Sequence, residues 1–243
     1  MDPTSRRTWL AGAIAAVVGL GTCASRPSAA GTAIEQRQVS GFEAVVWDGV
    51  GELSIEQTGR ERLSVEAEPA VLAKIVTEVR QRRLWIGFAP GRVETRQPIR
   101  FRLELKTLAA LETRGSGTVR IGPLATAALS LRLAGSDELR LAQLKARTLD
   151  VRLDGSGDVT IDGGQVDSQR VVIAGAASYA ALRLVSREAD VAIDGSGELR
   201  VAVTERLSAR ITGSGDVLFV GHPRVVQTVT GAGEVRRLDD PRS

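Results

Sequence analysis

The sequence predicts an all-β chain: a right-handed parallel β-solenoid, or β-helix, of about 20-residue coils with one short helix in its N-terminal part. Glycines Gly115, Gly135, Gly155, Gly175, Gly195, Gly213 and Gly231 open closely related turns, of which Gly155-Ser156-Gly157-Asp158-Val159 is typical, at steps of 20, 20, 20, 20, 18 and 18 residues. On either side of each turn the apolar residues alternate, as in Leu149, Val151 and Leu153 before Gly155 and Val159 and Ile161 after it. Period-two alternation marks a strand with one buried face. Each copy is therefore strand, corner, strand, and it buries its apolar face only when neighbours stack on it. Seven coils at about 4.8 Å each give a rod of about 30 to 35 Å. An antiparallel sandwich also has short strands and frequent turns, but it requires no register across 20 residues, and here the register holds.

Taken in order, residues 1–30 read as a signal peptide. Arg6 and Arg7 precede an uncharged, Ala- and Gly-rich run from Trp9 to Ala24, short for a bilayer span and suited to export. Ser5-Arg6-Arg7-Thr8-Trp9-Leu10 resembles the twin-arginine export motif, with ordinary secretion as the other route. Leu20-Gly21-Thr22-Cys23 resembles a lipoprotein box in which Cys23 becomes the lipidated N-terminus. Cleavage after Ser28-Ala29-Ala30 is the competing reading, and it discards this only cysteine. Neither route leaves an intramolecular disulfide.

Residues 31–107 form the N-terminal part of the domain. A short polar leader runs to residue 38, and a strand pair from Phe42 to Ile55 surrounds an eighth turn glycine, Gly49. Leu63, Val65 and Ala67 alternate as a further strand. Pro69 then opens a helix in which Val71, Leu72, Ile75, Val76 and Val79 fall at helical spacing. Leu84–Phe88 reads as a strand, residues 89–98 as a loop, and Ile99–Leu105 as a strand entering the array. Residues 108–236 carry the regular repeats, and a polar tail, 237–243, suits the place where stacking stops. The first glycine is present in all eight copies, so it is the expected site of positive φ. The second gives way to Asp137 and Ala177, which makes it a place of crowding.

Composition excludes several functions. Residues 31–243 carry 29 basic and 28 acidic side chains, which gives nucleic-acid binding no electrostatic support. Three Trp, one Tyr and four Phe leave few rings for stacking sugars or bases. Ser116, Ser136, Ser156, Ser196 and Ser214 follow turn glycines, but His222 is the only histidine and no nucleophile elbow occurs, so they read as turn serines. No His and Cys cluster suits zinc, and the turns lack the third glycine of a dinucleotide fingerprint. No cofactor is expected. Three positions after the first glycine stand Glu52, Glu138, Asp158, Glu198, Asp216 and Glu234. Stacking turns them into an acidic column that resembles a calcium ladder, with Arg120, Arg140, Arg200 and Arg236 beside it to neutralise it.

The Gly41-Phe42 opening, the first Gly-x-Gly turn, the short helix, the Leu84 to Ile86 strand and the serial Gly-Ser-Gly-Asp-Val turns occur here in that order. In this the chain resembles the bacterial putative auto-transporter adhesin family, also called the head GIN domain family, over about residues 38–236. The resemblance implies a solenoid-like domain of the cell envelope, often behind a signal peptide or lipid anchor, and it supplies no catalytic residues. Ser136-Asp137 and Ala176-Ala177-Ser178 depart from its turn pattern. The expected function is that of an exported structural or adhesive binding module without catalytic activity, facing an unidentified envelope or surface ligand. Its oligomeric state is open, and a membrane lipid anchor depends on Cys23. The alternatives are a polysaccharide-active β-helix enzyme, which would need paired carboxylates and aromatic platforms, and a calcium-dependent repeat protein.

Overall fold

The computed structural model describes residues 31–239 and the backbone of a two-residue strand at Arg26–Pro27. The rest of the segment read as a signal peptide, Cys23 included, lies outside the described residues, as do residues 240–243.

The alternating stretches form strands that stack in parallel as a β-solenoid with three sheets. In the first sheet the order is Arg83–Phe88, Ala44–Trp47, Ala110–Thr113, Ala128–Gly135, Leu144–Gly155, Gly164–Gly175, Ser178–Gly195, Glu198–Gly213 and Arg224–Gly231. Residues after each corner make the second sheet, from Arg100–Leu105 and Glu52–Gln57 through Thr118–Ile121, Glu138–Leu141 and Asp158–Ile161 to Asp216–Val220 and Val235–Arg237. A narrower third sheet starts at Leu124–Ala125, runs through Leu144, Gly164 and Leu184, and ends with Ala202 beside Val185. Register between the central coils is 20 residues, Leu131 on Val151 on Val171 on Val191, and falls to 18 when Ala209 follows Val191. The inward columns close one continuous core.

The N-terminal part departs from this pattern and covers one end of the rod. Ala33–Arg37 pairs antiparallel with Arg62–Ala67, which pairs antiparallel with Arg100–Leu105. Residues 31–38, expected as a polar leader, thus contribute a strand. Glu61 clasps this entry, because its carboxylate accepts hydrogen bonds from the Gly41 and Phe42 N–H groups at 3.0 and 3.3 Å and from Lys106 Nζ at 2.8 Å. The expected helix is only Pro69–Leu72, and Ile75–Arg80 is a strand antiparallel to Arg83–Phe88. Ile75 and Val79, four residues apart, suit a period of two, with Thr77 between them, as well as helical spacing, and a segment dense in β-branched residues resolves that ambiguity toward strand. At the other end the coil pattern persists past Glu234 into Val235–Arg237.

The turn glycines divide by coil. Gly135, Gly155, Gly175, Gly195, Gly213 and Gly231 lie at φ between 119° and 153°. Gly49 and Gly115 do not, and this corrects the expectation for the first two copies; in the first of them Gly51 takes a positive φ, 106°, instead. There the first glycine answers a shortage of space. A Cβ on Gly49 would lie 2.9 Å from the indole nitrogen of Trp47, which fills the first corner, and a Cβ on Gly115 would strike the Gly49 carbonyl.

Candidate binding surface at the covered end of the solenoid

The strand Arg83–Phe88 lies between Ala44–Trp47 and the outermost strand Ile75–Arg80, so its outward side chains form the surface of the covered end. Opposite partners there are Val76 and Gly87, Glu78 and Trp85, and Arg80 and Arg83. Trp85 is 39% and Val76 49% exposed, a pair of apolar groups that the core leaves at the surface. The Arg114 guanidinium stands 5.9 Å from the Trp85 ring centroid, within cation–π range. Glu112 fixes that guanidinium, accepting from Arg114 Nε at 2.7 Å, and meets Arg83 Nη1 at 3.5 Å. Glu78 pairs with Arg80.

Between these groups lies an open groove of about 930 Å³, lined among others by Asp48, Val76, Glu78, Arg80, Trp85 and Phe88. Its hairpin turns through Gln81 and Arg82, whose φ values of 49° and 60° are the only positive ones among the described non-glycine residues. That is the backbone of a two-residue primed turn, which usually carries Asn-Gly. Left-handed φ at ordinary residues costs about 1 kcal/mol or more each and gathers where surrounding structure enforces a functional shape. The combination offers an aromatic face, apolar flanks and a rim of both charges, suited to holding a polar ring by one face.

The residues singled out in the sequence lie elsewhere. Glu52, Thr118, Glu138, Asp158, Ser178, Glu198 and Asp216 do stack on one edge of the second sheet, one coil apart. Arginines interleave: Arg120 lies 3.8 Å from Glu52, Arg200 2.6 Å from Glu198, and Arg140 instead meets Asp162 at 2.7 Å. No cluster of three or more His, Cys, Asp or Glu side chains spaced for a metal occurs among the described residues. The turn serines occupy corners along the rod, and no hydrogen bond between any of them and His222 occurs among the described residues.

Both departures from the turn pattern have structural causes. Asp137 is fully buried, and its carboxylate accepts from the backbone N–H of Gly117 at 2.7 Å and of Gly115 at 3.0 Å, so it ties one corner to the next. Ala177 belongs to the coil that houses Tyr179. The buried phenol donates to Gln169 Oε1 at 3.0 Å, Gln169 Nε2 donates to Ser186 Oγ at 2.7 Å, and Ser186 Oγ donates to the Ala202 carbonyl at 2.9 Å. Burial pushes the phenol pKa up, which keeps Tyr179 a neutral donor. Small inward neighbours Ala177, Ala181 and Ala189 offset the volume of the ring. Reading each coil by register would have exposed this trio, since Gln169 and Tyr179 stand in columns otherwise held by aliphatic side chains.

A three-sheet β-solenoid covered at one end makes the chain a stacked-coil repeat protein. Residues 41–223 match the family described as "Putative auto-transporter adhesin, head GIN domain", and the chain belongs to that family. A crystal structure of a putative adhesin from Bacteroides fragilis NCTC 9343 is similar to it with TM-score 0.80 at 20% identity, over 85% of this chain and 97% of that one. A putative adhesin from Parabacteroides distasonis ATCC 8503 gives TM-score 0.68 at 21% identity, over 85% and 97%. A putative lipid binding protein from the same organism gives 0.69 at 22%, over 87% and 98%. At such identities the likeness is one of fold. No curated protein sequence matches the chain. No helix among the described residues is long and apolar enough to cross a membrane.

Proposed function

We propose that the protein is an exported binding module of the cell envelope, without catalytic activity, that takes a ring-bearing polar surface ligand such as a saccharide on Trp85. The observation that carries this reading is the half-exposed Trp85 in its charged groove, a single stacking ring where the composition argues only against a platform of several. A sugar ring covers the indole with its apolar face while its hydroxyls exchange hydrogen bonds with the Glu78, Asp48, Arg80 and Arg83 rim, the division of labour common to small-molecule sites. Family membership supports a surface role, and the Arg6-Arg7 segment supports export, with Cys23 as the lipidation point if the anchor is used.

The test is binding to an array of envelope glycans by the wild type and Trp85→Ala. Loss of signal by at least about fivefold, with an unchanged melting temperature, is expected, since one stacking ring contributes about 1 to 3 kcal/mol. Equal binding by the variant would remove the groove from consideration, and turnover of a polysaccharide by the wild type would overturn the non-catalytic reading. Mass spectrometry of the envelope-fraction protein tests export: diacylglyceryl-Cys23 or a start at Gly31 supports it, and an intact Met1 in the cytosol refutes it.

A further inference from the structure

The two ends of the rod differ. One is covered by Ala33–Arg37, Arg62–Ala67, the short helix and the Ile75–Arg82 arm. At the other, the strand Arg224–Gly231 pairs only with Glu198–Gly213 among the described residues, and every residue along it is exposed. Val225, Gln227 and Val229 continue the inward columns of Leu207, Ala209 and Ile211, all of which are buried. Yet Val225 is 37%, Val229 38% and the outward Val226 54% exposed. An eight-residue edge with three exposed valines is a template for pairing that stable monomers blunt.

From this edge we infer that the protein pairs end to end with a second copy of itself, through an antiparallel ladder centred on Gln227. The backbone sets the register. In a parallel ladder successive residues direct their N–H and C=O alternately to the two sides. The Ala232 N–H donates to the Gly213 carbonyl at 2.9 Å, so the even-numbered residues of the strand face the solenoid. Val225, Gln227 and Val229 therefore offer their backbone groups to the open side.

A two-fold axis at Gln227 sets Val225 opposite Val229 of the second copy, Gln227 opposite Gln227, and Val229 opposite Val225. Each such pair exchanges both N–H···O bonds. The valines match valines across the ladder, the glutamine amides meet each other, and outside them Val226 faces Thr228. Shifting the centre to Thr228 would set Gln227 against Val229 and Val225 against Gly231, which loses every one of these matches. Pairing stays on the first sheet. In the second, Val235–Arg237 is short and places Arg237 in the inward column over Phe219, a charge that blunts that edge. Because the contact is isologous and the far end is covered, it closes at two copies and does not propagate into a fibre.

Sedimentation velocity of the full chain at micromolar concentration should give twice the monomer mass. Val229→Lys, which places a charge in the ladder, should raise the dissociation constant at least about a hundredfold, a change of about 2.7 kcal/mol, with far-UV circular dichroism unchanged. In a Cys23→Ser background, Gln227→Cys should form a disulfide dimer on mild oxidation, because opposed Cα atoms lie within bridging reach. Thr228→Cys, whose counterpart lies a diagonal step away, should not. A monomeric wild type would overturn the inference, as would equal crosslinking by the two cysteine variants or a dimer that survives Val229→Lys in a folded protein.

Discussion

At the scale of the residue, the corners show two reasons for glycine that a sequence writes with one letter. Gly155 sits at φ 140° and a Cβ on it would also lie 2.5 Å from the Gly135 carbonyl oxygen. Gly157 has ordinary φ, and its constraint is the Asp137 carbonyl oxygen 2.7 Å from where its Cβ would be. Ser156 between them gives its N–H to the Gly135 carbonyl at 3.0 Å, a bond that any residue can make. Gly155→Val should therefore destabilise by about 1 to 3 kcal/mol or more through strain, while Ser156→Ala costs well under half of that. Thermal melts of the two variants check it, and equal losses would show the corner is not strained at the first glycine. Recurrence alone distinguished an indispensable first position from a replaceable second one. It did not reveal that Trp47 changes the reason at Gly49, because a bulky side chain inside the corner is a fact of packing.

At the scale of the element, the repeats were legible because register and burial agree: one face of every strand must be apolar, and one-residue slips expose it. The covering segment was less so. Val71 to Val79 fit two periods at once, the hairpin turn lacks the Asn-Gly signal, and the strand at Ala33–Arg37 carries little apolar alternation. The aromatic groove was hidden for the same reason: alternation with Leu84 and Ile86 turns Trp85 outward, but the Val76 and Glu78 flank beside it exists only because Ile75–Arg80 is a strand and not a helix. What holds the entry to this segment is Glu61. The hydrogen bond from Lys106 lowers its carboxyl pKa, the Phe42 and Gly41 N–H groups add to that, and partial burial opposes it. A carboxyl lowered below the ordinary value of 4.5 contributes stability that is fully present above that value and is lost as pH falls through the folded-state value. The melting-temperature gap between wild type and Glu61→Gln should thus be largest near neutrality and close progressively below pH 4.5. A gap that stays constant into acid would show that the carboxylate charge does not hold the clasp.

At the scale of the whole molecule, stacking repeats every surface charge as well as every core contact. The Tyr179, Gln169 and Ser186 trio joins the three sheets through one coil, so the core itself fixes how the coils sit, and the acidic edge need not be clamped from outside. That edge is broken by Thr118 and Ser178, which leaves two runs of adjacent carboxylates, Glu138 beside Asp158, and Glu198, Asp216 and Glu234 in succession. Two like charges one coil apart in water repel by about 1 kcal/mol at most, less with salt. The arginine at Glu198, 2.6 Å away, and those near Glu52 and Glu234, at 3.8 and 3.9 Å, offset repulsion of that size. A divalent ion would have to displace these cations and find several oxygen ligands where the coil spacing presents one per layer. The melting temperature should therefore be the same in EDTA and in millimolar calcium. A calcium-dependent rise of several degrees, abolished in Asp158→Asn, would establish the column as a metal ladder and make the solenoid a calcium-dependent repeat protein.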